Sequence, residues 1–109
     1  MNYNIQLIEQ KEVLGRDFRI YGDYENPLFL AKDVAEWIGH TNPTVMVKTV
    51  DENEKVLNNV YTLGGEQEVL LLTEDGLYEV LMQSRKPIAK EFKRQVKIIL
   101  KDIRRHGLY

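Results

Sequence analysis

The segment between Ser84 and Arg105, SRKPIAKEFKRQVKIILKDIRR, constrains the fold of this chain more than any other part of the sequence. Its apolar residues recur at the period of one side of an α-helix. These residues are Ile88, Phe92, Val96, Ile99 and Ile103. We therefore predict a long helix that opens at Pro87, where proline is well tolerated, and that buries this side in the core.

The opposite side of the predicted helix is basic. Lys and Arg outnumber Asp and Glu by nine to two in this segment, although the whole chain has a formal net charge of −2. The aligned cations are Lys90, Arg94, Lys97, Lys101 and Arg104. Like charges along one face destabilise a helix, so we expect an anion to compensate them. The candidates are a phosphate backbone and an acidic protein surface, beside the simpler interpretation of a solvated face. A membrane surface fits less well, because the apolar side is needed for the core.

With 109 residues, the chain can bury one hydrophobic core, and we expect residues 1–109 to form a single domain. It has no cysteine, which excludes disulfides and thiolate metal sites and is compatible with a reducing compartment. The first residues lack the pattern of a signal peptide, and no window approaches the ~18 consecutive apolar residues of a membrane span. We therefore expect a soluble, cytoplasmic protein that does not associate with membranes.

The rest of the chain combines strand and helix patterns. Branched and aromatic residues predict strands in residues 4–10 and 18–30, and in the two runs beside Gly64 and Gly65, which form a hairpin signal. Thr73 is predicted to cap a helix with an acidic first turn. The predicted class is α+β, with a small antiparallel sheet that includes a β-hairpin, a helix-turn-helix-like pair and two C-terminal helices.

The helix-turn-helix-like pair is predicted around Gly39. Helical spacing over Ala31–Ile38 ends at this glycine, and Asn42 followed by proline fits the start of a second helix that continues through TVMVKTV. Ala35 is small enough for close approach of the two helices, and Val45 is expected to pack the second helix against the first. A plain helical hairpin fits the same spacing.

In a helix-turn-helix, the second helix reads base edges. Its polar residues here are Asn42, Thr44, Lys48 and Thr49, of which Thr44 and Lys48 are one helical turn apart. The hairpin at Gly64 and Gly65 is a candidate wing beside it. Asp51, Glu52 and Glu54 follow directly after this helix and would repel phosphate if their loop faced DNA.

The sequence contains no evident motif for catalysis or metal binding. Ser84 is the only serine, and neither His40 nor His106 lies in a nucleophile, general-base or zinc motif. The acidic run DENE could hold a divalent ion, but a solvated turn is the simpler interpretation. We expect no catalytic residues, no metal and no cofactor, and hence no enzymatic activity.

Six stretches of the sequence together resemble a known family. They are AKDVAEWIG, NP, VDENEK, EDGLYEVL, SRKPIAKEFKRQV and IRRHGLY, and they follow one another in this order. The combination, which extends over almost the whole chain, is similar to the Bro-N domain of phage and prophage antirepressors and of the baculovirus repeated-ORF proteins. The resemblance implies a non-enzymatic, DNA-binding domain of a transcription regulator that counteracts a phage repressor in the cytoplasm of a bacterial host cell.

The positions that match the family pattern divide by their chemistry. Pro43, Gly76, Pro87 and Phe92 are structural residue types, whereas Lys32, Arg85, Lys86, Lys90, Lys93 and Arg94 can contact phosphate. With the basic face and the second helix added, the predicted DNA-contacting residues are Lys32, Asn42, Thr44, Lys48, Arg85, Lys86, Lys90, Lys93, Arg94, Lys97 and Lys101. The SRKP stretch either favours an anion at a helix N-terminus or is only the cap and turn between two helices.

The predicted partners are double-stranded DNA, a phage repressor protein and other copies of this chain. In the alternative interpretation, the domain engages a repressor or its own copies through the basic face and does not bind DNA. Competition by nucleic acid distinguishes the two interpretations better than salt does, because both interactions are electrostatic.

Overall fold

The computed structural model describes residues 5–106, apart from the side chains of residues 61 and 62. Within this range the chain forms one antiparallel sheet of five strands and four α-helices, which confirms the predicted α+β class. In chain order the elements are β1 (Leu7–Val13), β2 (Arg16–Gly22), β3 (Pro27–Leu30), α1 (Ala31–Ile38), α2 (Pro43–Met46), β4 (Lys55–Thr62), β5 (Gly65–Thr73), α3 (Glu74–Gln83) and α4 (Pro87–His106). Residue 4, at the predicted start of the first strand, lies outside the described range.

Two hairpins form most of the sheet, whose strand order is β1-β2-β3-β5-β4. The β1–β2 turn consists of Leu14 and Gly15, which both have positive φ angles, as in the type I′ turns that match the twist of paired strands. In the β4–β5 hairpin, Thr62 pairs with Gly65, so the turn consists of residues 63 and 64. The predicted hairpin is therefore present, with its turn one residue earlier than the glycine pair.

The sheet curls until its two edges meet. Ile5, just before the edge strand β1, forms a parallel bridge with Val60 of the opposite edge strand β4, and its N–H donates to the Asn59 carbonyl at 3.0 Å. The concave side encloses a small apolar cluster that contains Tyr21, Leu30, Val60 and Leu71. The curled sheet thus has a core of its own, apart from the larger core under the helices.

The larger core lies between the other face of the sheet and the helices. α1 and α3 contact the strands, and α4 packs across α1 and α3. Trp37 of α1 stacks on Phe92 of α4, with ring centroids 5.0 Å apart and planes 4° from parallel. Its indole N–H donates to the Asp17 carbonyl at 2.7 Å, so the buried ring keeps a hydrogen-bond partner. This stack packs α4 directly against α1.

The buried side of α4 differs slightly from the predicted one. Phe92, Val96 and Ile103 are buried as predicted, but Ile88 and Ile99 are only half-buried. Ala89 and Leu100 are buried in addition. The reason is that α4 packs against α3 as well as α1, so the residues on its α3 side are also buried.

The second helix of the predicted helix-turn-helix-like pair is a single turn. α1 ends at Gly39 in a left-handed conformation, as predicted, and the Asn42 side chain caps α2, but α2 ends at Met46. Lys48 therefore lies beyond the helix, in a turn where its N–H bonds to the Val45 carbonyl three residues back. β-Branched residues over this stretch have weak helix propensity, which favours the early end.

Gly76 lies in α3, where alanine has the higher helix propensity, but the backbone of Glu54 leaves no room for a side chain. In the interior of a helix, Gly→Ala usually stabilises. Here a Cβ would lie 2.7 Å from the backbone oxygen of Glu54. We expect Gly76→Ala to destabilise the fold by about 1–3 kcal/mol, as overpacking does, measured by urea denaturation. Met82→Ala, at an exposed position of the same helix, should change stability by less than about 0.5 kcal/mol; equal effects would contradict the steric explanation.

Candidate nucleic-acid interface

The outer face of α4 presents a line of cations to solvent. Lys90, Arg94, Lys97, Lys101 and Arg105 are exposed and follow one another at intervals of three or four residues. At 1.5 Å per residue, the line extends over about 22 Å. Within residues 5–106, Lys90, Lys101 and Arg105 have no ion-pair partner. The face predicted from the sequence therefore exists, and Arg105 extends it by one further turn.

Two exposed cations of this line also have partners on the domain itself. Arg94 pairs with Glu91 at 2.5 Å on the exposed side of α4, and this hydrogen bonding lowers the pKa of the Glu91 carboxyl. Lys97 lies 5.6 Å from the centroid of the Tyr78 ring on α3. Both cations remain exposed, and an exposed ion pair or cation–π contact contributes no more than about 1 kcal/mol. They remain available to an incoming phosphate.

Arg104 does not belong to the free basic face, in contrast to the prediction. Its guanidinium forms two hydrogen bonds to Glu74 at the start of α3, at 2.6 and 3.2 Å, and its Nε donates to the Tyr24 carbonyl at 3.3 Å. The antiparallel packing of α3 and α4 brings the two ends together. Arg104 therefore ties the end of α4 to the rest of the domain.

Glu74 also accepts a hydrogen bond from the Tyr78 hydroxyl at 3.0 Å. Burial acts to raise the pKa of Glu74, but the hydrogen bonds from Arg104 and Tyr78 outweigh burial and lower it. Burial and the Glu74 charge together raise the pKa of Tyr78. The three side chains form one cluster that depends on an ionised Glu74.

This cluster predicts a component of acid sensitivity. Because its pKa is lowered in the folded state, ionised Glu74 stabilises the fold above the ordinary carboxyl value of 4.5, and this contribution is lost as the pH falls through the lowered value. We expect Glu74→Gln to be less stable than the wild type at neutral pH, with the difference shrinking below about pH 4. Urea denaturation across pH measures this, with the exposed Glu68→Gln as control. A difference independent of pH would contradict it.

The loop between α3 and α4 is attached to the turn between α1 and α2. Lys86 Nζ donates to the Gly39 carbonyl at 2.8 Å, and the Thr49 hydroxyl bonds to Gln83 at 2.5 Å. Ser84 Oγ accepts from the Lys86 N–H at 3.3 Å, which is a turn-forming contact. The fold thus places Arg85 and Lys86, which are distant in sequence from α2, beside it.

The other residues predicted to contact DNA differ in their position and in their exposure to solvent. Asn42 is engaged as the cap of α2, because its Oδ1 accepts from the Val45 N–H at 3.2 Å. Thr44 and Lys48 are exposed near this turn, and Lys93 is half-buried on the α3 side of α4. Lys32 lies in the first turn of α1, at the opposite end of that helix from Gly39. Lys32 is therefore separated from the surface that combines α2, Arg85 and Lys86.

The acidic run after α2 is partly engaged by the domain. Lys55 Nζ pairs with Glu52 at 3.1 Å, and the Glu54 carboxylate accepts a hydrogen bond from the Thr73 hydroxyl. Only Asp51 and Glu52 of the three carboxylates are exposed. The expected repulsion of phosphate is therefore concentrated at one end of the α2 region.

A groove lies between α2 and the α3–α4 loop, and no sequence pattern predicted it. Its volume is about 250 Å³, and its lining residues are Ile38, His40, Val45, Met46, Thr49, Val80, Gln83 and Ser84. Val45 was predicted to pack the second helix, but 49% of it is exposed. Met46, Val47 and Val50 fill the core beneath this segment instead. At 100° per residue Met46, Val47 and Val50 share one side of this segment, whereas Val45 lies on the opposite side.

A second concave surface, of about 700 Å³, lies at the mouth of the curled sheet. Among its lining residues are Asp17, Arg19, Lys32, Asp33 and Glu36. Arg19 bridges Asp33 at 2.9 Å and Asp17 at 3.3 Å. Burial raises the pKa of Asp33, and the nearby Arg19 charge opposes the increase. The carboxylates outnumber the cations here, so the surface is unfavourable for a phosphate.

Two further properties concern the described part of the chain, residues 5–106. No set of three or more His, Cys, Asp or Glu side chains is arranged there to hold a metal ion. None of the helices in that range combines the length and apolarity that crossing a bilayer requires.

Comparison with known proteins places these features in a family. Residues 17–102 match the family described as BRO family, N-terminal domain. A Bro-N domain-containing protein of Invertebrate iridescent virus 6 is 29% identical over 111 aligned residues, which cover 84% of this chain and 27% of the viral protein. This chain thus spans about a quarter of that relative's length. No solved structure shows a significant match. The chain therefore belongs to the BRO family, of which it contains the N-terminal domain.

Proposed function

We propose that this chain is a DNA-binding domain without enzymatic activity, and that the basic face of α4 contacts the phosphates of double-stranded DNA. The proposal rests chiefly on one observation, the line of exposed cations from Lys90 to Arg105. Five cations at helical spacing offer a linear array that can follow a phosphate backbone and release its counterions.

The neighbouring elements support the same orientation. Arg85 and Lys86 continue the basic surface from the start of α4 toward α2. Of the acidic residues only Glu91 and Asp102 lie on α4, and exposed carboxylates occur on both hairpins and at the mouth of the curled sheet. Glu66 and Glu68 on the β4–β5 hairpin are exposed, which argues against the hairpin as a DNA-contacting wing. One basic surface is therefore left to face an anionic partner.

A single α-helical turn limits how α2 can contribute. Four residues are too short to lie along a major groove as the recognition helix of a helix-turn-helix does. We therefore assign α2 the role of presenting one or two side chains, chiefly Thr44, while α4 provides most of the binding energy. Lys32 has no part in this surface, because it lies at the far end of α1.

The experiment that tests this proposal is an electrophoretic shift of the domain on random-sequence duplex at increasing salt. We expect binding at low salt, with the logarithm of the association constant falling linearly with the logarithm of salt concentration, by about 0.9 per phosphate contact. A domain that shifts no duplex at low salt would refute the proposal.

The wider role that we propose is that of a phage or prophage antirepressor-like regulator of transcription. It is supported by membership of the BRO family together with a basic face suited to DNA. The regulatory target would be a phage repressor. The test is a change in repressor-controlled transcription when the chain is expressed with its prophage operator, and an unchanged reporter would refute it.

One observation favours a second candidate, a protein-interaction module. Ile98 is 50% exposed on α4 and lies among Lys101, Asp102 and Arg105 in a shallow depression. An apolar residue among cations suits an acidic protein partner, such as a repressor or another copy of the chain. A pull-down of repressor with increasing duplex decides between them. If DNA is the ligand of this face, duplex displaces any partner that requires Lys90; a complex indifferent to duplex supports the interaction module.

A further inference from the structure

The groove between α2 and the α3–α4 loop combines an apolar wall with a polar rim. Ile38, Val45, Met46 and Val80 contribute apolar side chains, and His40, Thr49, Gln83 and Ser84 contribute polar ones. None of the residues that line it is acidic. In this it differs from the cleft at the mouth of the curled sheet, which contains three carboxylates. The groove is therefore the concave surface of the two that tolerates a nearby phosphate.

Cations stand beside the groove on the side of the α3–α4 loop. Ser84 lines it, and the next two residues are Arg85 and Lys86, both exposed. Lys86 is held by the Gly39 carbonyl, so the loop and the α1–α2 turn keep a defined separation. A nucleic-acid strand whose phosphates contact this loop would place its base edges near the groove.

Val45 is an exposed apolar residue on the wall of this groove, and it is not part of the hydrophobic core. It is one of the few aliphatic side chains with about half of their area in water, and Met46 and Val47 already anchor the segment. Its neighbours Thr44 and Lys48 are polar. In the major groove, the base feature that an aliphatic side chain recognises is the 5-methyl group of thymine.

His40 adds a polar group of suitable chemistry to the same rim. The N–H of Asn42 donates to His40 Nδ1 at 3.1 Å, so the neutral ring carries its proton on Nε2. An N–H donor suits the O4 acceptor of thymine, which lies next to the 5-methyl group. The rim thus complements both features of the thymine edge.

We infer that Val45 is a specificity-determining residue that contacts the methyl group of thymine in the major groove. The inference rests on the proposed DNA binding and adds to it the class of base that is preferred. α4 supplies sequence-independent affinity through phosphates, and the α2 turn supplies a preference for 5-methylpyrimidines.

The test uses two duplexes of about 20 base pairs with identical phosphates, one of alternating d(AT) and one in which deoxyuridine replaces every thymidine. They differ in the methyl groups that an apolar side chain reads. We expect the wild type to bind the thymidine duplex about three- to fivefold more tightly, which corresponds to burying one methyl group. Val45→Ala should bind both duplexes equally, with the affinity that the wild type has for the uridine duplex.

Leu7→Ala is the matched control, since Leu7 on β1 is exposed to a similar extent, 46%, and lies outside the groove. It should retain the wild-type preference. Equal wild-type affinity for both duplexes, or a preference that Val45→Ala retains, would overturn the inference and leave DNA binding intact. Absence of binding to either duplex at low salt would overturn the proposed function as well. An unchanged urea midpoint of Val45→Ala confirms its fold.

Discussion

Replacing Lys90, Arg94, Lys97 and Lys101 with Gln should weaken binding to duplex DNA by about 10²–10³-fold at 0.1 M salt, irrespective of sequence. Each lost phosphate contact also lowers the salt slope by about 0.9, because fewer counterions are released. Titrations of a random-sequence duplex by fluorescence anisotropy at several salt concentrations measure both quantities. The fold should persist, because these side chains lie on the solvent side of α4.

A matched comparison separates local contact from net charge. The double variant Lys90→Gln with Lys101→Gln removes two charges from the face, and Lys11→Gln with Arg16→Gln removes two from the exposed β1–β2 hairpin. If α4 follows the phosphates, the first pair loses the larger share of affinity and of salt slope. Equal effects of both pairs would mean that only the total charge matters, and an unchanged quadruple variant would exclude α4 as the phosphate-binding element.

Phe92→Ala should destabilise the domain by about 3–5 kcal/mol, which is typical of a large aromatic side chain removed from a core. Phe92 is fully buried and stacks on Trp37, so the variant leaves a cavity where α4 meets α1. A loss of this size is a large fraction of the stability of a small domain, about 5–15 kcal/mol. Urea denaturation followed by tryptophan fluorescence measures it, because Trp37 is the only tryptophan.

Ile98→Ala serves as the control on the same helix, since Ile98 is half-exposed. Its effect on stability should be below about 1 kcal/mol. Phe92→Ala should lower the apparent DNA affinity only because part of the variant is unfolded. A lower temperature, which increases the folded fraction, should therefore restore the affinity. A stable Phe92→Ala domain with poor DNA binding would instead mean that the position of α4, and not its stability, depends on this ring.

The sequence predicted those features that depend on a few adjacent residues. Three helix boundaries are examples: the start of α3, where Thr73 accepts a hydrogen bond from the Gly76 N–H, the end of α1 at the left-handed Gly39, and the start of α4 at Pro87. Each depends on the conformation or hydrogen bonding of a few adjacent residues, so residue type alone predicts it. The polarity of the two sides of α4 was predictable for the same reason, because it follows from helical periodicity.

The tertiary structure decided which of these residues share a surface and which are engaged. Arg104 was predicted from helical spacing to belong to the basic face. In the folded domain it lies beside Glu74 and forms an ion pair that connects α3 with α4. Val45 was expected to pack the second helix against the first, but Met46, Val47 and Val50 fill the core there and Val45 is half-exposed. The pairing of Lys86 with Gly39 joins segments that are far apart in the chain. Periodicity along one helix cannot specify these contacts, because they depend on the relative placement of separate elements. By itself, then, the sequence determined the fold class, the end of α1, the starts of the later helices and the existence of a basic face. Tertiary packing selected the cations that remain free and formed the groove beside them.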